Sequence, residues 1–135
     1  MNRLFLLFLL LWSNAVLSNN NPKNIIMIIA DGMGPNFAPA YRYYKNGKSH
    51  IEPTVFDKYF VGSSSTYPHH TEDLVTDSAA SATALASGIK TYNGAIGVDI
   101  NQKPVLTVLE YAKTIGKKTG IVVTSEVNHA TPASY

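Results

Sequence analysis

The stretch Ile25-Ile26-Met27-Ile28-Ile29-Ala30-Asp31-Gly32-Met33-Gly34 decides how the chain reads. Its first six residues are apolar without alternation, and Ile dominates them. Such a run reads as a parallel strand buried on both faces. It ends abruptly at Asp31-Gly32, and open α/β sheets place their ligands at the carboxyl ends of such strands. An ionised carboxylate there is costly unless it is solvated, hydrogen-bonded or bound to a cation. Two readings of Asp31 follow. It is a hard oxygen ligand for a divalent metal, with Gly32 and Gly34 allowing close backbone approach, or it is the Asp of an ordinary turn-forming Asp-Gly pair.

Outward from this stretch, residues 37–44 read as a helix closed by Asn46-Gly47. Ala38, Tyr41 and Lys45 share a face there, and the aromatic residues read as packing. Residues 60–67 are a weak strand candidate and residues 68–73 a polar loop. A helix from about Ser78 ends at Gly88, a good residue just past a helix end. Asn93-Gly94 signals a turn. Pro104 opens a predicted helix over residues 105–114, which Gly116 stops. Residues 119–124 read as a second short buried strand, and residues 125–135 as a loop. Strands alternate with helices, so the class is α/β with a largely parallel sheet.

Composition bounds the function. The chain has 135 residues, 45% hydrophobic and 15% charged, which is the balance of a globular protein somewhat poor in charge. A formal charge of +2 without a basic cluster argues against nucleic-acid binding. The absence of cysteine excludes a lipoprotein anchor and a disulfide framework. Met1-Asn2-Arg3 followed by the apolar run Leu4 to Trp12 reads as a secretory signal peptide over residues 1–18. Cleavage is expected after Ser18 or after Ala15. The apolar run is far shorter than the about 20 residues a membrane span needs. Residues 19–135 then form the mature part, and an exported chain without disulfides relies on its core or on metals.

Three segments carry chemistry. The first is Asp31. The second is Thr76-Asp77-Ser78-Ala79-Ala80-Ser81-Ala82-Thr83-Ala84, which puts a carboxylate and a hydroxyl just before small, helix-compatible residues. This is either an ordinary Asp/Ser cap on a buried helix or a serine presented at the positive end of a helix, where an anion binds. Serine is a poor nucleophile without a base or a metal. His69 and His70 lie across a polar loop and read as solvated, so metal activation is the better explanation. The third is His129-Ala130-Thr131. Histidine binds borderline metals and a threonine hydroxyl suits magnesium, whereas Thr131 before Pro132 also shapes a simple turn.

Together these segments resemble alkaline phosphatases. The resemblance rests on Asp31-Gly32-Met33-Gly34, on Val75 through Ala84, and on His129-Ala130-Thr131-Pro132-Ala133, and it covers residues 24–135. It implies a three-layer α/β/α fold with a largely parallel central sheet, of which this chain is the N-terminal part. It implies hydrolysis of phosphate monoesters through a phosphoserine at Ser78. It also implies two zinc ions and a magnesium. Asp31 would bridge the second zinc and the magnesium, Ser78 would meet zinc, and Thr131 would bind the magnesium. Asp77 would support the nucleophile and position a phosphate-binding arginine. His129 falls where the family carries aspartate or histidine, so it bears on the identity of the third metal. The remaining zinc ligands, that arginine and a glutamate are expected beyond Tyr135, which makes the chain read as a fragment inactive by itself. A homodimeric full-length protein, secreted or periplasmic and without a membrane anchor, is the further expectation. Two other readings stand beside this one. One is a related metallohydrolase of phosphodiesters or sulfate esters. The other is an inactive exported binding protein.

Overall fold

The computed structural model describes residues 22–47, 52–69 and 74–135. The expected signal peptide at residues 1–18, His70 and most of the polar loop lie outside these residues. The chain divides into two units, Met1–Ala30 and Asp31–Tyr135. In the first, residues 22–30 carry no helix or strand. The second holds five helices among the described residues: α1 (Phe37–Asn46), α2 (Val55–Tyr59), α3 (Ser78–Ser87), α4 (Val108–Thr114) and α5 (Ala130–Ala133).

The expected sheet does not form among the described residues. Residues 25–30, 60–67 and 119–124 contain no strand, and the one ladder contact is an antiparallel bridge between Val98 and Pro104. The β-branched runs set a preference, but a strand exists only when a neighbouring backbone completes its hydrogen bonds. Ile25, Ile26 and Ile28 are correspondingly 84–87% exposed, and Val122 is fully so.

The helices follow local chemistry more closely. Helix α1 starts at Phe37 as the sequence predicts and runs two residues past the expected 37–44, to Asn46, with Pro39 in its first turn, where no N–H is needed, and Gly47 at φ +67° closing it. Helix α3 stops at Gly88, whose φ of +76° is the left-handed conformation that ends helices. Helix α4 starts three residues later than its pattern suggests. Thr107 and Glu110 form a capping box, with Thr107 N–H donating to Glu110 Oε2 at 2.8 Å and Glu110 N–H to Thr107 Oγ1 at 3.2 Å. Pro104 lies in the bridge to Val98 instead of the helix. Helix α5 stands where a loop is expected; Pro132 falls in its first turn and is compatible with it.

The core consists of small residues. Ala79, Ala80, Ala82 and Ala86 of α3 are buried with Ala95, as are the hydroxyl residues Thr83 and Ser134. Thr83 is the junction of this core. Its Oγ1 lies 3.1 Å from Ala95 O and 3.3 Å from Ser134 Oγ, and accepts the Gly97 N–H at 3.0 Å. Its single proton serves either Ala95 O or Ser134 Oγ. Ser134 Oγ in turn donates to Ala130 O at 2.9 Å. One hydroxyl thus ties α3 to α5 and to residues 95–97.

Helices α1 and α2 are joined by charge and aromatic contact. The Arg42 guanidinium grips Asp57 with two donors, Nε at 3.2 Å from Oδ2 and the second at Oδ1. Thr54 donates its N–H and its hydroxyl to Asp57 Oδ2 at 2.7 and 2.8 Å. Tyr41 meets Phe56 edge-on, ring centroids 6.1 Å apart.

Two outcomes are expected. Thr83→Val keeps the shape but strands the Gly97 N–H, and should lower unfolding free energy by about 1–3 kcal/mol, with Thr83→Ser less costly; urea denaturation measures both. The second concerns pH. Hydrogen bonds from Arg42, then those from Thr54, hold the Asp57 carboxyl well below the ordinary carboxylate range. A depressed folded value contributes stability above the ordinary range that is lost as pH falls toward the folded value. The urea midpoint should therefore drop as pH falls below about 4, and Asp57→Asn should remove that part of the dependence.

Candidate active site

Asp31 opens the second unit on a turn completed by Gly32, whose φ of +74° favours glycine. The carboxylate is exposed. It is therefore placed to receive donors from elements distant in sequence.

The first donor comes from α3. Asp77 is the residue before this helix, and its Oδ1 accepts the Ala80 N–H at 2.8 Å. Its carbonyl accepts the Ser81 N–H at 3.2 Å and the Ser81 hydroxyl at 2.7 Å. Ser78 is thereby the first residue of a ten-residue helix, half-buried at the end where unpaired N–H groups concentrate positive potential. Its hydroxyl lies 3.0 Å from Asp31 Oδ2 and 3.2 Å from Oδ1, and donates to that carboxylate.

The second donor comes from α5. Thr131 Oγ1 donates to Asp31 Oδ2 at 3.2 Å. Asp31 is 47 residues from Ser78 and 100 from Thr131, yet its carboxylate receives both hydroxyls. The result is a continuous hydroxyl–carboxylate–hydroxyl cluster made of hard oxygens alone.

Other candidates sit differently. His129 precedes α5, exposed, and is held by its backbone: its N–H donates to Glu126 O at 3.0 Å and its carbonyl accepts the Ala133 N–H at 3.0 Å. Its imidazole caps no helical N–H. His69 is tied through its backbone N–H to Thr91 O at 2.8 Å. Among the described residues, no three His, Cys, Asp or Glu side chains converge as a metal cage.

Two contributors escape the sequence reading. Asn93 Oδ1 accepts the Asp77 N–H at 3.0 Å, and Gly94 N–H donates to Asp77 Oδ2 at 2.6 Å. Asn-Gly reads only as a turn because its bonds run to residues 16 and 17 positions away. The other is Thr83, whose place between α3 and α5 no local pattern marks.

Comparison with known proteins gives the family of the chain. A family profile described as alkaline phosphatase matches residues 22–135. The chain is 56% identical over 115 residues to alkaline phosphatase 3 of Bacillus subtilis, covering 84% of this chain and 25% of that protein. It is 45% identical over 121 residues to the repressible alkaline phosphatase of Saccharomyces cerevisiae, covering 87% of this chain and 21% of that one. Among solved structures, a cold-active alkaline phosphatase from a psychrophilic Shewanella aligns with a TM-score of 0.74 at 55% identity, over 78% of this chain and 27% of that one. The chain thus spans 25% and 21% of the length of these two curated relatives. The likeness to the Shewanella enzyme supports the α/β class, while the parallel sheet itself is not seen among the described residues.

Proposed function

The chain belongs to the alkaline phosphatase family, and we propose that it carries the nucleophile of a phosphomonoesterase, Ser78. The observation that supports this most directly is the meeting of Ser78, Asp31 and Thr131 within 3.0–3.2 Å. Serine at the start of a helix, with an oxygen-rich cluster beside it, suits attack on a phosphate ester better than it suits a passive cap.

The chemistry of this donor set fits a divalent cation. One carboxylate and two hydroxyls are hard oxygen donors, the kind magnesium prefers and zinc accepts. Asp31, Ser78 and Thr131 are the residues that would hold such ions, and His129, two positions before Thr131, bears on which ion takes the third place. When bound, the metals supply Lewis acidity, favouring the ionised serine oxygen and neutralising charge on the leaving oxygen.

The chain's own residues do the rest. Ser78 Oγ attacks phosphorus in line with the leaving alkoxide. The Oγ–P bond forms as the ester P–O bond breaks, giving phosphoserine and releasing the alcohol. Water then attacks the phosphoserine, and phosphate leaves as the Ser78 hydroxyl is restored. The proton that Ser78 shares with Asp31 leaves Oγ as it attacks and ends on the departing alkoxide, giving the alcohol. The N-terminal dipole of α3 favours the equatorial phosphate charge. Asp77 holds the helix entry through Ala80 and Gly94, so Ser78 does not need to reorganise on attack. Phosphate monoesters are the proposed substrates, in an exported homodimer. Among the described residues no helix is long and apolar enough to cross a membrane.

In the complete enzyme that carries these residues, Ser78→Ala should abolish phosphoserine labelling and lower turnover by roughly a thousandfold or more. Labelling that persists unchanged would remove Ser78 from the role. Asp31→Asn should first reduce bound metal, because it removes the only formal charge of the cluster. Metal analysis equal to wild type would count against Asp31 as a ligand.

A further inference from the structure

We propose that Asn93 is a positioning residue for the Ser78 nucleophile, its amide gripping the backbone on both sides of Thr76. The inference rests on the reading of Ser78 given above. Asn93 Oδ1 accepts the Asp77 N–H at 3.0 Å, and Asn93 Nδ2 donates to Val75 O at 2.9 Å. One planar group therefore satisfies a donor and an acceptor two residues apart, as a neighbouring strand would.

The next residue completes the grip. Gly94 N–H donates to Asp77 Oδ2 at 2.6 Å. Gly94 has φ +86°, and a Cβ there would meet nothing within 4 Å. The glycine is needed for its left-handed backbone, which turns the N–H toward Asp77, and not for lack of space. Asp77 is then held at its N–H by Asn93, at Oδ2 by Gly94 and at Oδ1 by Ala80. Ser78 follows directly, so the direction of its hydroxyl toward Asp31 is inherited from this clamp.

A turn alone does not require the amide. Asparagine and aspartate both suit the position before glycine in such a turn. Only the amide offers one donor and one acceptor at neutral pH; an aspartate accepts from Asp77 N–H but cannot donate to Val75 O, and it brings a second negative charge beside Asp77. The two bonds therefore do something beyond making the turn, and what they hold is the peptide leading into the nucleophile.

The test uses Asn93→Asp, nearly isosteric on a half-buried turn, and Asn93→Ala, both in the complete enzyme. The rate of phosphoserine formation at Ser78 is measured in a single turnover, normalised to metal-loaded protein, beside KM and melting temperature. Both variants should phosphorylate Ser78 between roughly tenfold and a hundredfold more slowly, with KM changed far less, because the loss is one of orientation. Should Asn93→Ala fail to fold, Asn93→Asp carries the measurement. Wild-type phosphorylation rates per loaded enzyme in these variants, even with a lowered melting temperature, would overturn the proposal and leave Asn93 a builder of the turn. A wild-type enzyme that labels a residue other than Ser78 would overturn the reading of the site as well, which keeps the two failures distinct.

Discussion

The hydroxyl of Thr83 sets how far apart the two arms of the site stand. It is fully buried, and it touches α3, the loop at Ala95 and Gly97, and Ser134 at the end of α5. Ser78 lies at the start of α3 and Thr131 within α5. Their separation is therefore set by a polar contact in the core, not by the loops that carry the chain between them. Buried polar contacts of this kind are directional, whereas alanine packing alone would let one helix slide along the other. The small residues of α3 serve this arrangement by letting α5 come close.

A second constraint acts at the helix entry. Asp77 spends one carboxylate oxygen on Ala80 and the other on Gly94. The negative charge is thus committed to ordering N–H groups, and Ser78 stands beside it at the positive end of the helix dipole. Asp31 receives the serine and threonine hydroxyls in a different way, from an exposed turn. One carboxylate builds the scaffold and the other gathers the two hydroxyls. That division explains how two aspartates near one serine serve separate roles.

Much of this was legible in residue order. Gly47 and Gly88 mark helix ends because a left-handed residue is needed there and glycine adopts it freely. Asp77-Ser78 before a run of small residues marks a helix start by its own chemistry. Asp31, Ser78 and Thr131 were each identifiable as oxygen donors, and the structure brings all three together. The late start of α4 was legible too, in Thr107 and Glu110, but the apolar pattern from Val105 obscured it. The parallel sheet was not borne out among the described residues: residues 25–30 and 119–124 have the composition of strands and no ladder. Composition expresses a preference for extended backbone, and pairing depends on another segment that local sequence does not name.

Local events follow from residue order alone: where α1 starts, where α3 begins and ends, which residues carry hard oxygens, and that a serine stands at a helix N-terminus. These depend on contacts within a few residues, which side-chain size, φ preference and hydrogen-bonding groups decide. Packing, and not residue order, brings Asp31 to partners 47 and 100 residues away and Asn93 to the backbone at Asp77 and Val75. Such meetings arise from how helices pack and turns reverse the chain. A hydrogen bond between distant residues leaves no periodicity in the sequence to read.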